Sequence, residues 1–182
     1  MKQNMKQKKK LFPSVKGMTV AAMLIAMSVI IGIFCKNYLN FGAGLYRVTF
    51  ENLPILMAGM MFGPIVGSLV GIASDLVSYL MSNQIYPPNL LVTAGAGLIG
   101  ACAGIVSRYI VKKVGCLQVI VSGASAHLLG SVIVKSIGLY QYYGILVLWR
   151  IPLYVVIATV EILMLCLLYR RKNFLRVLND IQ

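Results

Sequence analysis

Apolar residues dominate this chain in long stretches, and short clusters of turn residues separate them. Met18–Cys35 and Leu90–Ser107 are each 18 residues without a formal charge, which is long enough for a membrane-spanning helix. Extending the same reading predicts six spans: Met18–Lys36, Val48–Phe62, Pro64–Ser82, Leu90–Val111, Leu117–Gly138 and Ile145–Tyr169. Gly63-Pro64 divides the second from the third, because Pro suits the first helical turn and Gly the position just past a helix end. Tyr86-Pro87-Pro88-Asn89 divides the third from the fourth. The expected fold class is an all-α integral membrane protein with six transmembrane helices. Residues 17–172 form the membrane domain, between a basic arm at 1–16 and a tail at 173–182. No internal repeat is visible, so the inverted-repeat architecture of many secondary transporters finds no support.

Composition agrees with a membrane location. The 182 residues are 59% hydrophobic and 12% charged, against about 25% charged in soluble domains. The first span lacks a small-residue cleavage site and is followed at once by Lys36, so it does not read as a cleaved signal peptide. The net charge of +13 suggests nucleic acid until its placement is considered. Thirteen of the seventeen basic residues sit in the N-terminal arm, in Arg108–Lys113 and in Arg170–Arg176. These short flanks set orientation in a bilayer and place both termini in the cytoplasm. Nucleic acid is therefore not an expected partner; the lipid bilayer is.

The remaining charges gather on the opposite, outer side. Arg47 and Glu51 open the second span, Asp75 lies in the outer half of the third, and Lys135 lies near the outer end of the fifth. Trp149 and Arg150 stand at the start of the sixth, and Glu161 is deeper. Intramembrane charges are costly and mark functional sites. Arg47 and Glu51 at i, i+4 could simply pair with each other. The alternative is a polar pocket open to the outside. Arg and Lys suit ligand carboxylates, a carboxylate suits parallel N–H donors, and aromatic faces suit a ring. Together they describe a flat heteroaromatic ligand with an acidic tail. Residues 37–44, 83–89 and 139–144 are rich in Tyr, Asn and Gly and uncharged. They read either as an interfacial aromatic belt or as lids over that ligand. Asp75 and Glu161 could instead be proton-relay groups, although no basic partner lies near them in sequence.

Other features carry plainer readings. Gly63, Gly67 and Gly71, and Ala96, Gly100 and Gly104, form stripes that let helices pack closely. Ala22 and Ala26, followed by Ser28 and Gly32, form a smooth strip that could face another membrane protein. His127 is expected to be an interhelical hydrogen bonder. The four cysteines show neither CxxC spacing nor clustered His, so neither zinc nor a disulfide is expected. Phosphate-loop, nucleophile-elbow and His-Glu-x-x-His motifs do not occur. The chain reads as a binding protein rather than an enzyme, with no cofactor of its own.

Arg47-Val-Thr-Phe-Glu51-Asn-Leu-Pro54-Ile55, Ala58-Gly59, Phe62-Gly63-Pro64 with Gly67 and Gly71, Asp75 and Pro88-Asn89 together resemble the substrate-binding S component of energy-coupling factor (ECF) vitamin transporters, most of all the folate-specific branch. The resemblance implies high-affinity capture of a vitamin at the cell membrane. It also implies work with a coupling subunit (EcfT type) and two cytoplasmic ATPases, which use the ATP, and delivery by tilting of the binder. Ala22 and Ala26 would meet the coupling subunit. Glu51 or Asp75 would face the donor edge of the pterin, Trp149 or a loop residue such as Tyr140 would face its ring, and Asn89 would lie nearby. Arg47, Lys135 or Arg150 would take the glutamate tail. A riboflavin, pantothenate or thiamine binder, and a proton-coupled carrier using Asp75 and Glu161, are the alternatives.

Overall fold

The computed structural model describes residues 15–41, 46–82, 88–111 and 115–171. Apart from one pair of two-residue strands, its regular structure is helical. Helix α1 (Val15–Tyr38) leads through strand β1 (Asn40–Phe41) and its antiparallel partner β2 (Tyr46–Arg47) to α2 (Asn52–Phe62). Helix α3 (Pro64–Leu80) follows, then α4 (Leu90–Ile105), which runs on as a π-helix over Val106–Ile110. Helix α5 (Cys116–Ala126) continues through a π-helix at His127–Lys135 into α6 (Ser136–Tyr143). A 3₁₀ segment (Gly144–Trp149) then leads into α7 (Arg150–Tyr169). The basic arm expected at 1–16 lies outside the described residues except for its last two, which begin α1. The tail expected at 173–182 lies outside them entirely.

Among the described residues, three stretches are long and apolar enough to cross a membrane: Val15–Tyr38, Leu90–Ile110 and Cys116–Tyr169. The last folds back on itself, since α5 packs against α7 and Cys116 is disulfide-bonded to Cys166. The turn is the 3₁₀ segment, entered at Gly144 with φ +55°, a left-handed conformation that favours Gly. The loop expected at 139–144 is thus helical as far as Tyr143. The disulfide is a second departure, because the sequence spacing of 50 residues holds no hint that two helix ends will meet.

The expected second span is corrected most. It begins at Asn52 rather than Val48, and its 11 residues reach about 16 Å at 1.5 Å per residue, half of the roughly 30 Å hydrocarbon core. Pro54 explains the late start. Inside a helix its ring would collide with the carbonyl four residues earlier, that of Phe50, so the helix can begin no more than one turn before it. Every residue of α2 is buried, which makes it the central element rather than a lipid-facing span.

Small residues bring the neighbours onto it. A methyl at Gly59 or Gly67 would run into the backbone of Gly100, one at Gly71 into the carbonyl of Ala96, and one at Gly104 into Pro64. Both glycine stripes are therefore internal packing surfaces among α2, α3 and α4. The strip on α1 divides. Ala22 and Ala26 are exposed, whereas Ser28 and Gly32 are buried against the bundle.

Candidate functional site

Glu51 is the pivot of the polar interior. It stands immediately before α2, where the helix N-terminus favours a negative charge, and it is buried. Helix α1 seats it. Ser28 Oγ donates to the Glu51 backbone carbonyl at 2.7 Å, and a methyl at Gly32 would lie 2.8 Å from Glu51 Oε2. Only the notch left by Gly32 lets the carboxylate lie against α1. From the π-helix, Lys135 reaches in with Nζ 3.7 Å from Glu51 Oε1 and donates to Asn52 Oδ1 at 3.1 Å. The Lys135 stem passes over Gly95.

Beside this cluster lies a small cavity lined by Ser28, Glu51, Ile55, Ser74, Asp75 and Ala96. It is enclosed by α1, the start of α2, α3 and α4. Asp75 is half-buried, and its Oδ2 accepts from Thr93 Oγ1 at 2.6 Å. Two carboxylates and two hydroxyls on an otherwise apolar wall suit a small polar edge rich in N–H donors.

A separate polar contact lies deeper. His127 Nε2 is 2.8 Å from Glu161 Oε2, and both side chains are essentially inaccessible. The distance is that of an ion pair when His127 is protonated; the alignment falls short of a hydrogen bond. His127 Nδ1 is 3.3 Å from Ser131 Oγ. The hydrogen bond of His127 is therefore within its own helical segment, and what crosses to α7 is a close contact with Glu161 rather than the interhelical hydrogen bond expected. The basic partner that sequence neighbours did not offer Glu161 comes from across the bundle.

The family model for the substrate-specific component of ECF transporters matches residues 16–174. The chain belongs to this family. Over 76 residues this substrate-specific component is 28% identical to the folate transporter FolT of Clostridium novyi (strain NT), a match covering 41% of this chain and 44% of that protein. The match thus spans less than half the length of that relative. A crystal structure of FolT bound with folic acid superposes with a TM-score of 0.67 at 22% identity, covering 87% of this chain and 95% of that one. The S component of a bacterial ECF transporter gives 0.60 at 24% identity, covering 88% and 97%. At those identities the two structures establish the shared fold.

The residues singled out from the sequence fare differently in this S component. Glu51 and Asp75 line the cavity together, and Lys135 joins them through Glu51. Asn89 does structural work. Its Oδ1 caps α4 by accepting from Leu91 N at 2.9 Å, and its Nδ2 donates to the Gly138 carbonyl at 2.6 Å. Arg150 is buried, with its guanidinium 5.5 Å from the Tyr154 ring centre and 5.9 Å from that of Tyr143, distances at which cation–π attraction operates. Trp149 and Tyr140 turn outward, 66% and 62% exposed, and neither lines the cavity. Arg47 lies in β2, four residues before Glu51 but not on its helix. Of the lid candidates, 42–45 and 83–87 fall outside the described residues.

Ser28, Ile55, Ser74 and Ala96 in the lining were not anticipated as site residues. A signal for Ser74 was available. The buried face of α3 runs Gly67, Val70, Gly71, Ser74, Ser78, so the glycine stripe extended by one turn leads to it.

Proposed function

We propose that this S component captures folate outside the cell and delivers it as the binding subunit of an ECF-type importer in the plasma membrane. The observation that carries the reading is the Glu51–Asp75 cavity with Lys135 at its edge. The carboxylates suit the donor-rich edge of a pterin. As it stands the cavity is far smaller than the roughly 300–1,000 Å³ that encloses a drug-sized ligand, so binding one end of an elongated molecule has to widen it. Arg47, Lys135 and Arg150 are the cations proposed for the acidic tail. The FolT likenesses in sequence and fold support the choice of folate over riboflavin, pantothenate or thiamine.

In this reading six helical segments lie in the bilayer, the short α2 enclosed by the others, with both termini cytoplasmic. The chain binds no cofactor. A membrane coupling subunit meets the exposed Ala22 and Ala26 face of α1, and two cytoplasmic ATPases supply the energy for tilting. The test is calorimetric titration of the purified chain with folate, without ATP. Calorimetry is the suitable readout because Trp149, the single Trp, faces away from the cavity. Tight binding supports the proposal. Binding of riboflavin, thiamine or pantothenate instead of folate retains the class and rejects the substrate.

The His127–Glu161 contact favours one second reading, a proton-coupled carrier using Asp75 and Glu161. Uptake driven by a pH gradient into vesicles holding this chain alone would establish it, and its absence there would reject it.

A further inference from the structure

Five hydroxyl side chains on these helices turn back to their own backbone. Thr19 donates to the Val15 carbonyl, Ser68 to Ile65, Ser107 to Gly104, Ser125 to Ser122 and Thr159 to Val155. This local bond is the usual way a helix satisfies Ser and Thr. Ser74 does not use it. Its side chain lines the cavity, it is 2% exposed, and its Oγ has no hydrogen-bond partner among the described residues. A buried polar group left unmatched is destabilising and calls for an explanation. Ser122 and Ser136 are similarly unmatched, but neither lines this cavity.

The chemistry of the lining says what Ser74 is for. Ionised Glu51 and Asp75 are acceptors only, and Ile55 and Ala96 offer no polar side-chain atom. Ser28 has a single O–H, and it is committed to the Glu51 carbonyl at 2.7 Å. Ser74 therefore carries the one uncommitted side-chain donor of the lining. Two carboxylates alone would accept from N–H groups of a ring but would leave an adjacent ring carbonyl or ring nitrogen unmatched.

We propose that Ser74 is a ligand-binding residue, donating to a ring acceptor atom of a heterocycle whose N–H groups face Glu51 and Asp75. The assignment rests on the vitamin-binding reading above. It makes the lining complementary to an edge that alternates donors and acceptors, as a fused aminopyrimidinone does.

The test compares Ser74→Ala with the wild-type chain in two measurements, folate affinity by calorimetry and thermal unfolding of the ligand-free protein. Removing an unmatched hydroxyl should leave the ligand-free protein as stable as before or more so. Folate affinity should fall roughly 2- to 12-fold, the range of one net hydrogen bond. Ser122→Ala is the control: an unmatched hydroxyl removed elsewhere, with affinity unchanged. Unaltered affinity in Ser74→Ala overturns the proposal, as does affinity lost together with ligand-free stability, which would mark Ser74 as a packing residue. If the wild type binds no folate, the folate reading has failed, and the same comparison is made with whichever of riboflavin, thiamine or pantothenate it binds. Binding of none of the four by the wild type overturns both readings.

Discussion

Lys135 provides the sharpest test of the polar interior. Its Nζ stands 3.7 Å from Glu51 Oε1, and both side chains are at most one-tenth exposed. Coulomb attraction at that distance is about 4–5 kcal/mol at an effective dielectric constant of about 20. Removing one partner of a buried pair costs about 3–5 kcal/mol, because the other charge stays in a poor solvent. Lys135→Met keeps most of the stem that packs over Gly95 and deletes the charge. We expect it to lower unfolding free energy by about 3–5 kcal/mol, measured by denaturant titration in detergent with circular dichroism. Lys135→Met combined with Glu51→Gln removes both charges and should recover most of the loss, since replacing a whole buried pair by neutral groups is often harmless. A single variant within about 0.5 kcal/mol of the wild type, the range of an ordinary surface substitution, would refute the reasoning. So would a double variant no more stable than the single one.

Four further outcomes are expected. Gly100→Ala should destabilise by about 1–3 kcal/mol or more, because the added methyl meets the Gly67 carbonyl; an unchanged melting temperature would show that the two helices separate freely. His127→Leu should cost about 1–3 kcal/mol by leaving the buried Glu161 carboxyl without its polar contact, and adding Glu161→Leu should restore much of it, in the same unfolding assay. Replacing Ala22 and Ala26 together by Leu should abolish uptake in whole cells while leaving folate binding by the purified chain intact; lost binding would mean that the exposed strip has an internal role. Arg47→Ala should weaken folate binding by at least about tenfold, the effect of one charge-assisted contact, and unchanged affinity by calorimetry would remove Arg47 from the site.

Helix positions are legible in the chain because their causes are local. Apolar length, Pro64 at a helix start and the Pro87-Pro88 break mark the elements without reference to neighbours. The motif around Arg47–Pro54 marks the family for the same reason. Local rules also misled: Pro54 delays α2 to Asn52, and α6 runs on to Tyr143 through the loop expected at 139–144. The acidic half of the site was legible because carboxylates in apolar segments are rare. Its hydroxyl half was not, since Ser on a helix is ordinary and its role depends on which way the helix faces.

By itself, then, the sequence determined an all-α chain, the main apolar segments and the family, and it singled out Glu51, Asp75 and Lys135 as candidates. Tertiary structure decided who meets whom. It buried α2 on all sides, joined Cys116 to Cys166, set His127 against Glu161 and turned Trp149 outward. It also placed Ser28, Gly32 and Ser74 around the carboxylates. The physical reason is that helix formation is a matter of neighbours three and four residues apart. Tertiary contacts, in contrast, such as the close approach of backbones at Gly59, Gly67 and Gly100, join residues that the sequence keeps far apart.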